Sequence, residues 1–272
     1  MAEHGKLWVL ADNNTLIDRY FLGEPAASYY LEWDGLRILL DTGYSDVFLR
    51  NAERLGIGLE DLTHIVLSHG HNDHTNGLAL LAGARDLTGV QLIAHPRCLL
   101  PRWYEDVYIG PPDGGAIPAA CQCRFSAEPL WLSPSCVFLG EVPVTHDFEQ
   151  RRPLGRVLVD GEMRPDLLTD DSALACKTPA GLFIVTGCSH SGICNIVSRA
   201  QAVCGETRIA GILGGFHLPK ANSRVQKTAE FLAALHLRVL YPCHCVSLAA
   251  KLELAKVLPV QETGSGMCIE LS

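Results

Sequence analysis

The sequence predicts an α/β fold, and three observations carry that reading. Short β-branched or aliphatic runs alternate with longer helix-like segments, and the alternation recurs on both sides of an irregular middle stretch. At 272 residues, 48% hydrophobic and 19% charged, the chain has ample material for a packed core, which argues against disorder.

The elements follow in order. Residues 29–33 read as a strand, Asp34-Gly35 as a two-residue hairpin turn, and 36–41 as the return strand. Thr42-Gly43 ends that strand, and 46–55 has the apolar spacing and N-terminal carboxylate of a helix. A buried strand spans 64–68, a helix begins near Thr75, and 91–94 is a further strand. Pro, Gly and Cys then dominate 101–153, which reads as an irregular insertion with short strands such as 136–139. Regularity returns with strands at 174–178 and 182–186 around a Pro179-Ala180-Gly181 turn. A helix at 193–203, a strand at 208–213, a helix at 225–235, a strand at 238–241 and a helix at 248–257 follow. No segment has linker composition, so 1–272 is read as one domain carrying that insertion.

Charge and cysteine usage narrow the function. With 22 Lys+Arg against 30 Asp+Glu the net charge is −8, unfavourable for nucleic-acid backbones and anionic membranes but compatible with a local basic pocket for one phosphate. The first six residues lack a charged-then-apolar leader pattern, and the longest apolar runs are too short to cross a bilayer. The expectation is a cytoplasmic protein whose eleven cysteines are reduced thiols, metal ligands or small buried hydrophobes.

The informative segment is Ser68-His69-Gly70-His71-Asn72-Asp73-His74, directly after an apolar strand. Four ligand-type side chains lie within six residues, and borderline cations such as zinc favour imidazole and carboxylate. Buried without an ion, three imidazoles and a carboxylate would need many hydrogen-bond partners.

This motif resembles that of the metallo-β-lactamase superfamily. The resemblance implies a four-layer αββα sandwich, a first metal on His69 and His71, a second on Asp73 and His74, and a supporting role for the strand-end Asp41. Further segments are similar to one branch, the archaeal methanopterin-pathway dihydropterin–ribofuranosylaminobenzene-phosphate synthases. They include Asn51-Ala52-Glu53-Arg54-Leu55-Gly56-Ile57, Asp170-Asp171-Ser172-Ala173-Leu174, Thr186-Gly187-Cys188-Ser189-His190-Ser191-Gly192, Gly214-Gly215-Phe216-His217-Leu218 and Pro242-Cys243-His244-Cys245. Two segments depart from the branch pattern. Gly23-Glu24-Pro25-Ala26-Ala27-Ser28 stands where the branch has a His-Gly pair, and Cys245-Val246-Ser247 where it has Cys-Thr-Gly.

Zinc wants three or more protein ligands with a position left for water, so further donors must come from distant loops. His190, in a Gly- and Ser-rich loop after an apolar strand, is the candidate to complete the first site, and His244 the second. Cys188 resembles the strand end where many relatives place a metal-bridging aspartate; it is a bridge or a neighbouring thiol, with Asp170 and Asp171 as alternatives or solvated acids. His217 could orient substrate, donate a proton or add a ligand. Cys243 and Cys245, on either side of His244, read as packing, and His4, His64, His95, His146 and His236 as ordinary histidines.

The expected cofactor is zinc, two ions per chain, with manganese or iron as alternatives. Such a site acidifies bound water to around pH 7 and clamps charge on a carbonyl or phosphoryl oxygen. Asp73 would orient the nucleophile and His217 assist. The leading expectation is a hydrolase of a small ester or phosphoester, a small-molecule substrate with phosphorylated ones included. The alternatives are a transferase joining a pterin diphosphate to an arylamine phosphate, as the branch implies, and a non-catalytic metal- or ligand-binding protein.

Overall fold

Strand residues that alternate between two apolar environments explain how this chain layers. The computed structural model describes residues 5–112 and 120–271; His4 lies outside them. The N-terminal half runs β1 (Gly5–Ala11), β2 (Ser28–Trp33), β3 (Leu36–Leu40), α1 (Val47–Leu55), β4 (His64–Val66), α2 (Asn72–Thr75), α3 (Gly77–Ala84) and β5 (Gln91–Ala94). Short strands follow: β6 (Arg102–Tyr104), β7 (Val107–Tyr108), β8 (Gln122–Phe125), β9 (Leu130–Ser133), β10 (Cys136–Phe138), β11 (Arg156–Val159) and β12 (Glu162–Pro165). The rest is β13 (Ala173–Thr178), β14 (Gly181–Thr186), α4 (Ile193–Cys204), β15 (Ile209–Gly214), α5 (Ser223–Ala233), β16 (Val239–Pro242), α6 (Leu248–Ala255) and β17 (Cys268–Leu271).

Two main sheets form, in the orders β17-β1-β2-β3-β4-β5-β8 and β16-β15-β14-β13-β10-β9. In β2 and β3, Tyr29, Leu31, Trp33, Ile38 and Leu40 face the second sheet, where they meet Phe138, Leu174, Phe183, Val185 and Leu213. The intervening Tyr30 and Leu39 face outward onto Phe48 of α1 and Leu78 and Leu81 of α3. On the far side Leu182, Ile184 and Ile212 pack under α4, α5 and α6 through Ile193, Val197, Val225, Leu232 and Leu254. The layers are therefore helix, sheet, sheet, helix, as the motif's resemblance implied. At roughly 1.5–3 kcal/mol for each fully buried large aliphatic or aromatic side chain, these three apolar layers are the main stabilising term.

Several local expectations hold. β2 and β3 pair antiparallel with Trp33 opposite Leu36, and Asp34 and Gly35 take φ of 51° and 73°, the left-handed pair a tight type I′ hairpin requires. Helix α1 stops at Gly56, whose left-handed conformation returns its N–H to the carbonyls of Ala52 and Glu53. One boundary differs: the helix expected near Thr75 begins at Asn72, because His71 is extended and the first turn, carrying Asp73, winds inside the motif. β1 and β17, not foreseen, extend one edge of the first sheet.

Within 101–153, β8 joins the first sheet, β9 and β10 join the second, and β6 and β7 combine with β11 and β12 in a small four-stranded sheet. Arg102 of β6 is buried at 1% exposure and pairs with Asp166 and Asp170 at 2.8 and 2.9 Å. Among the described residues no helix is long and apolar enough to cross a membrane.

Candidate metal centre

The chemistry-bearing residues all lie in the loops, or in the short helix α2, just beyond the carboxyl ends of strands, the usual place for ligands in such sheets. His69, His71, Asp73 and His74 follow β4, Cys188 and His190 follow β14, His217 follows β15, and His244 follows β16. The backbone is strained there. Asp41, Ser189, His217 and His244 all take positive φ, from 44° to 58°, which L-residues adopt only where the surroundings impose it.

Asp41 anchors the motif. It accepts hydrogen bonds from Ser68 N and Ser68 Oγ, both at 2.7 Å, and its Oδ2 lies 2.7 Å from His74 Nδ1. Gly70, between two histidines, donates its N–H to Asp170 at 2.9 Å. No larger residue fits at that point, because a Cβ would sit 1.8 Å from the Cys98 carbonyl oxygen and 1.9 Å from an Arg102 nitrogen. The motif loop therefore rests directly on the buried Arg102–Asp170 pair.

Three donor groups result. The first is His69, His71 and His190; the second is Asp73, His74, Cys188 and His244; the third is Cys188, His217 and Cys245. In the first, His69 Nε2 stands 3.1 Å from His71 Nδ1, and the His190 ring centroid is 4.8 and 4.9 Å from those of His69 and His71. In the second, His74 Nε2 is 3.2 Å from Cys188 Sγ, while Asp73 Oδ2 is 3.6 Å from His74 Nε2 and 3.3 Å from His244 Nε2. The first two groups adjoin, with the His69 and His74 rings 4.2 Å apart.

Electrostatics separate the two. Burial, reinforced by neighbouring imidazoles, pushes His69 and His190 well below the usual histidine range, and burial lowers His71 to about 4. His74 goes the other way. Burial opposes its charge, but Asp73 and Asp41 outweigh that and raise it to about 9. Burial would likewise raise the Asp73 carboxyl, yet His74 and His244 hold it below the usual carboxylate range. Burial, with Cys245 beside it, pushes the Cys188 thiol up.

Every residue expected to bind metal thus falls in one of the first two groups. Cys188 groups with the second set and with Cys245, not with the first trio. His217 is nearby: its ring lies 4.4 Å from His190, its Nδ1 is buried without a partner, and its N–H donates to Cys245 Sγ at 3.1 Å.

Three expectations are corrected. Cys245 is not simple packing; β16 ends at Pro242, so the extended geometry that would aim it away from His244 is lost, and its sulfur meets His217 and Cys188. Cys243 does pack, against Tyr29 Oη at 3.2 Å. Asp170 and Asp171 are not solvated. Both are buried, Asp170 holding Gly70 and Arg102, and Asp171 accepting from Ser191 N at 2.9 Å. They hold the motif loop and the His190 loop in place.

Three supports went unforeseen. Asp12 accepts the N–H of His244 at 2.8 Å and Asn13 Oδ1 lies 3.0 Å from its Nδ1, which fixes that ring. An acid and an amide at the end of an apolar run were the only trace in the sequence. Arg102 left none, since its partners lie more than sixty residues away.

Two clefts reach the centre. One, of about 480 Å³, is walled by Pro25, Tyr44, Tyr104, Ile109 and Leu154 over His71 and Asp73. The other, of about 550 Å³, opens over His217, His244 and Cys245.

Comparison with known proteins agrees with this layout. Residues 22–129 match the metallo-β-lactamase superfamily. The chain is 28% identical to 7,8-dihydropterin-6-methyl-4-(β-D-ribofuranosyl)-aminobenzene-5′-phosphate synthase of Methanocaldococcus jannaschii, over 90% of this chain and 89% of that protein. It is 29% identical to an uncharacterized protein of the same archaeon, over 92% and 93% of the two chains. The crystal structure of Tm1679, a metal-dependent hydrolase of the β-lactamase superfamily, superposes with a TM-score of 0.84 at 30% identity, covering 98% of this chain and 99% of that one. With five histidines and an aspartate gathered at the strand ends and a full-length relative of the same layout, this chain belongs to the metallo-β-lactamase superfamily.

Proposed function

We propose that this chain is a metal-dependent hydrolase that holds two divalent cations and cleaves a small ester or phosphoester. The observation that carries the reading is the pair of adjoining donor sets, one of imidazoles alone and one built around a carboxylate and a thiol. The residues fit such ions. His71 Nε2 and His190 Nε2 are buried with no hydrogen-bond partner, an arrangement costly for imidazoles with nothing to bind. His69, His71 and His190 would hold one cation, and Asp73, His74, Cys188 and His244 the other. Zinc suits this mixture of imidazole, carboxylate and thiol. Cations bound there would supply Lewis acidity and a water acidified to about neutrality.

The chain's own residues do the rest. Asp41 holds His74 Nδ1, Asn13 holds His244 Nδ1, and Ser68 holds His69 Nδ1 at 3.0 Å, so the opposite ring nitrogens stay aimed inward. Asp73, ionised at neutral pH, orients the attacking nucleophile. His217, at the mouth of the second cleft, passes a ring proton to the leaving group. The apolar walls beside Asp73 take the organic part of the substrate and exclude water from it. All eleven cysteines are unpaired, which suits a reducing compartment such as the cytoplasm.

Group transfer is the second reading, favoured by similarity to a synthase over nine-tenths of the chain. Turnover separates the two. The purified protein is expected to carry about two zinc ions per chain and to cleave a chromogenic phosphodiester or lactone with no second substrate. Cleavage only after a second substrate is added would favour transfer, and a chain that binds no metal would overturn both readings.

A further inference from the structure

We propose that a third cleft, beside His217, binds a phosphate group carried by the substrate at a point away from the bond that reacts. This deepens the functional reading above and rests on it, since the cleft gains its meaning from the neighbouring donor sets. The cleft measures about 570 Å³ and is lined by Arg152, Lys220, Arg224 and Lys227, with Asp147 its one acidic lining residue. None of the four cations forms an ion pair among the described residues, whereas other arginines and lysines of this chain do. That concentration of free positive charge is conspicuous in a molecule of net charge −8.

The geometry supports an anion rather than a chance surface cluster. Arg224 and Lys227 are three apart on α5 and so share one face, Lys220 precedes that helix, and Arg152 approaches from the loop after Asp147–Glu149. The Arg224 Nε is buried and has no hydrogen-bond partner. The buried Glu149 feels the Arg224 charge, yet it cannot neutralise four cations. The first N–H groups of α5 are already taken by the Asn222 side chain, so the attraction comes from the basic side chains and not from an open helix end. Arginine and lysine together fit a phosphate monoester dianion, arginine by paired hydrogen bonds and lysine as a mobile point charge. His217 lines both this cleft and the one over His244, which sets the basic cleft next to the reacting centre. A substrate would span the two, its phosphate among the cations and its reactive bond at the donor sets.

Calorimetric titration of the zinc-loaded protein with inorganic phosphate and with ribose 5-phosphate tests this without requiring turnover. Saturable binding of the monoester is expected, at least as tight as that of phosphate, weakened by salt. Arg224→Gln with Lys227→Gln should weaken it about ten-fold or more. Lys220→Gln with Lys227→Gln, both exposed, gives the same test should Arg224→Gln fail to fold. Binding that survives these variants but disappears in His71→Ala would place the anion on the metal centre and overturn the proposal. Phosphate binding with the monoester excluded would overturn it too, as would no binding of either. A protein that binds the monoester in the cleft yet cleaves no ester would leave this site standing and bring down the hydrolase reading alone.

Discussion

The two donor sets sit side by side, their nearest rings 4.2 Å apart, yet they hold protons in opposite ways. The His69–His71–His190 set has no carboxylate in it, and burial leaves its imidazoles neutral, with lone pairs available at any pH near 7. The Asp73–His74–Cys188–His244 set is a network of opposite charges in which Asp41 and Asp73 keep His74 protonated and burial keeps Cys188 a thiol. A cation entering the first set displaces nothing. One entering the second must displace protons. Desolvation without a counter-charge therefore makes a ready ligand set, and desolvation with one makes a set that must be deprotonated as it fills.

The largest expected effect comes from breaking the first set. His71→Ala is expected to lose at least one metal and to reduce turnover by about a thousand-fold or more, measured by metal analysis and a chromogenic assay. Full activity with both ions retained would refute the assignment of this set.

Proton release sharpens the comparison further. Adding zinc to metal-free protein near pH 7.5 should release about two protons from the ligands, one from His74 and one from Cys188, in addition to what the bound water gives up, and almost none from the imidazoles of the first set. Titration in lightly buffered solution reads the number directly. His71→Ala should release as many as the unaltered chain, and Cys188→Ala about one fewer. Equal release from both sets would mean that they do not differ as described.

The smallest effect is on the stability of the metal-free protein against pH. His71 titrates at about 4 when folded and about 6.5 when unfolded, so the unfolded chain binds more protons between those values. Stability should fall as pH drops through that window, by several degrees in Tm, with His69 and His190 adding in the same direction. His74 acts oppositely: its folded value of about 9 contributes stability below about pH 6.5 that is lost as pH rises to 9. A thermal-melt series should therefore peak between the two windows. A flat profile from pH 4 to 7 would show that the first trio is not buried neutral.

Much of this was legible along the chain. The strand pair of β2 and β3, the Asp34-Gly35 turn and the helix ending at Leu55 depend on local signals, and each formed as its residues predict. The His69–His74 run announced itself because its donors are contiguous. Arg102 and Asp12 did not, because each works through a partner sixty or more residues away. Cys245 was misread because the chain leaves extended geometry just before it, a turn set by the positive φ of His244.

The sequence by itself determined which residues alternate, where turns fall and which side chains can bind a cation, since these depend on neighbours one to four positions away. Tertiary structure alone decided that Cys188 joins the second set and which imidazoles stay neutral. Those outcomes depend on burial and on charges brought from strands β1, β3, β14 and β16, and both arise only when the two sheets close on each other.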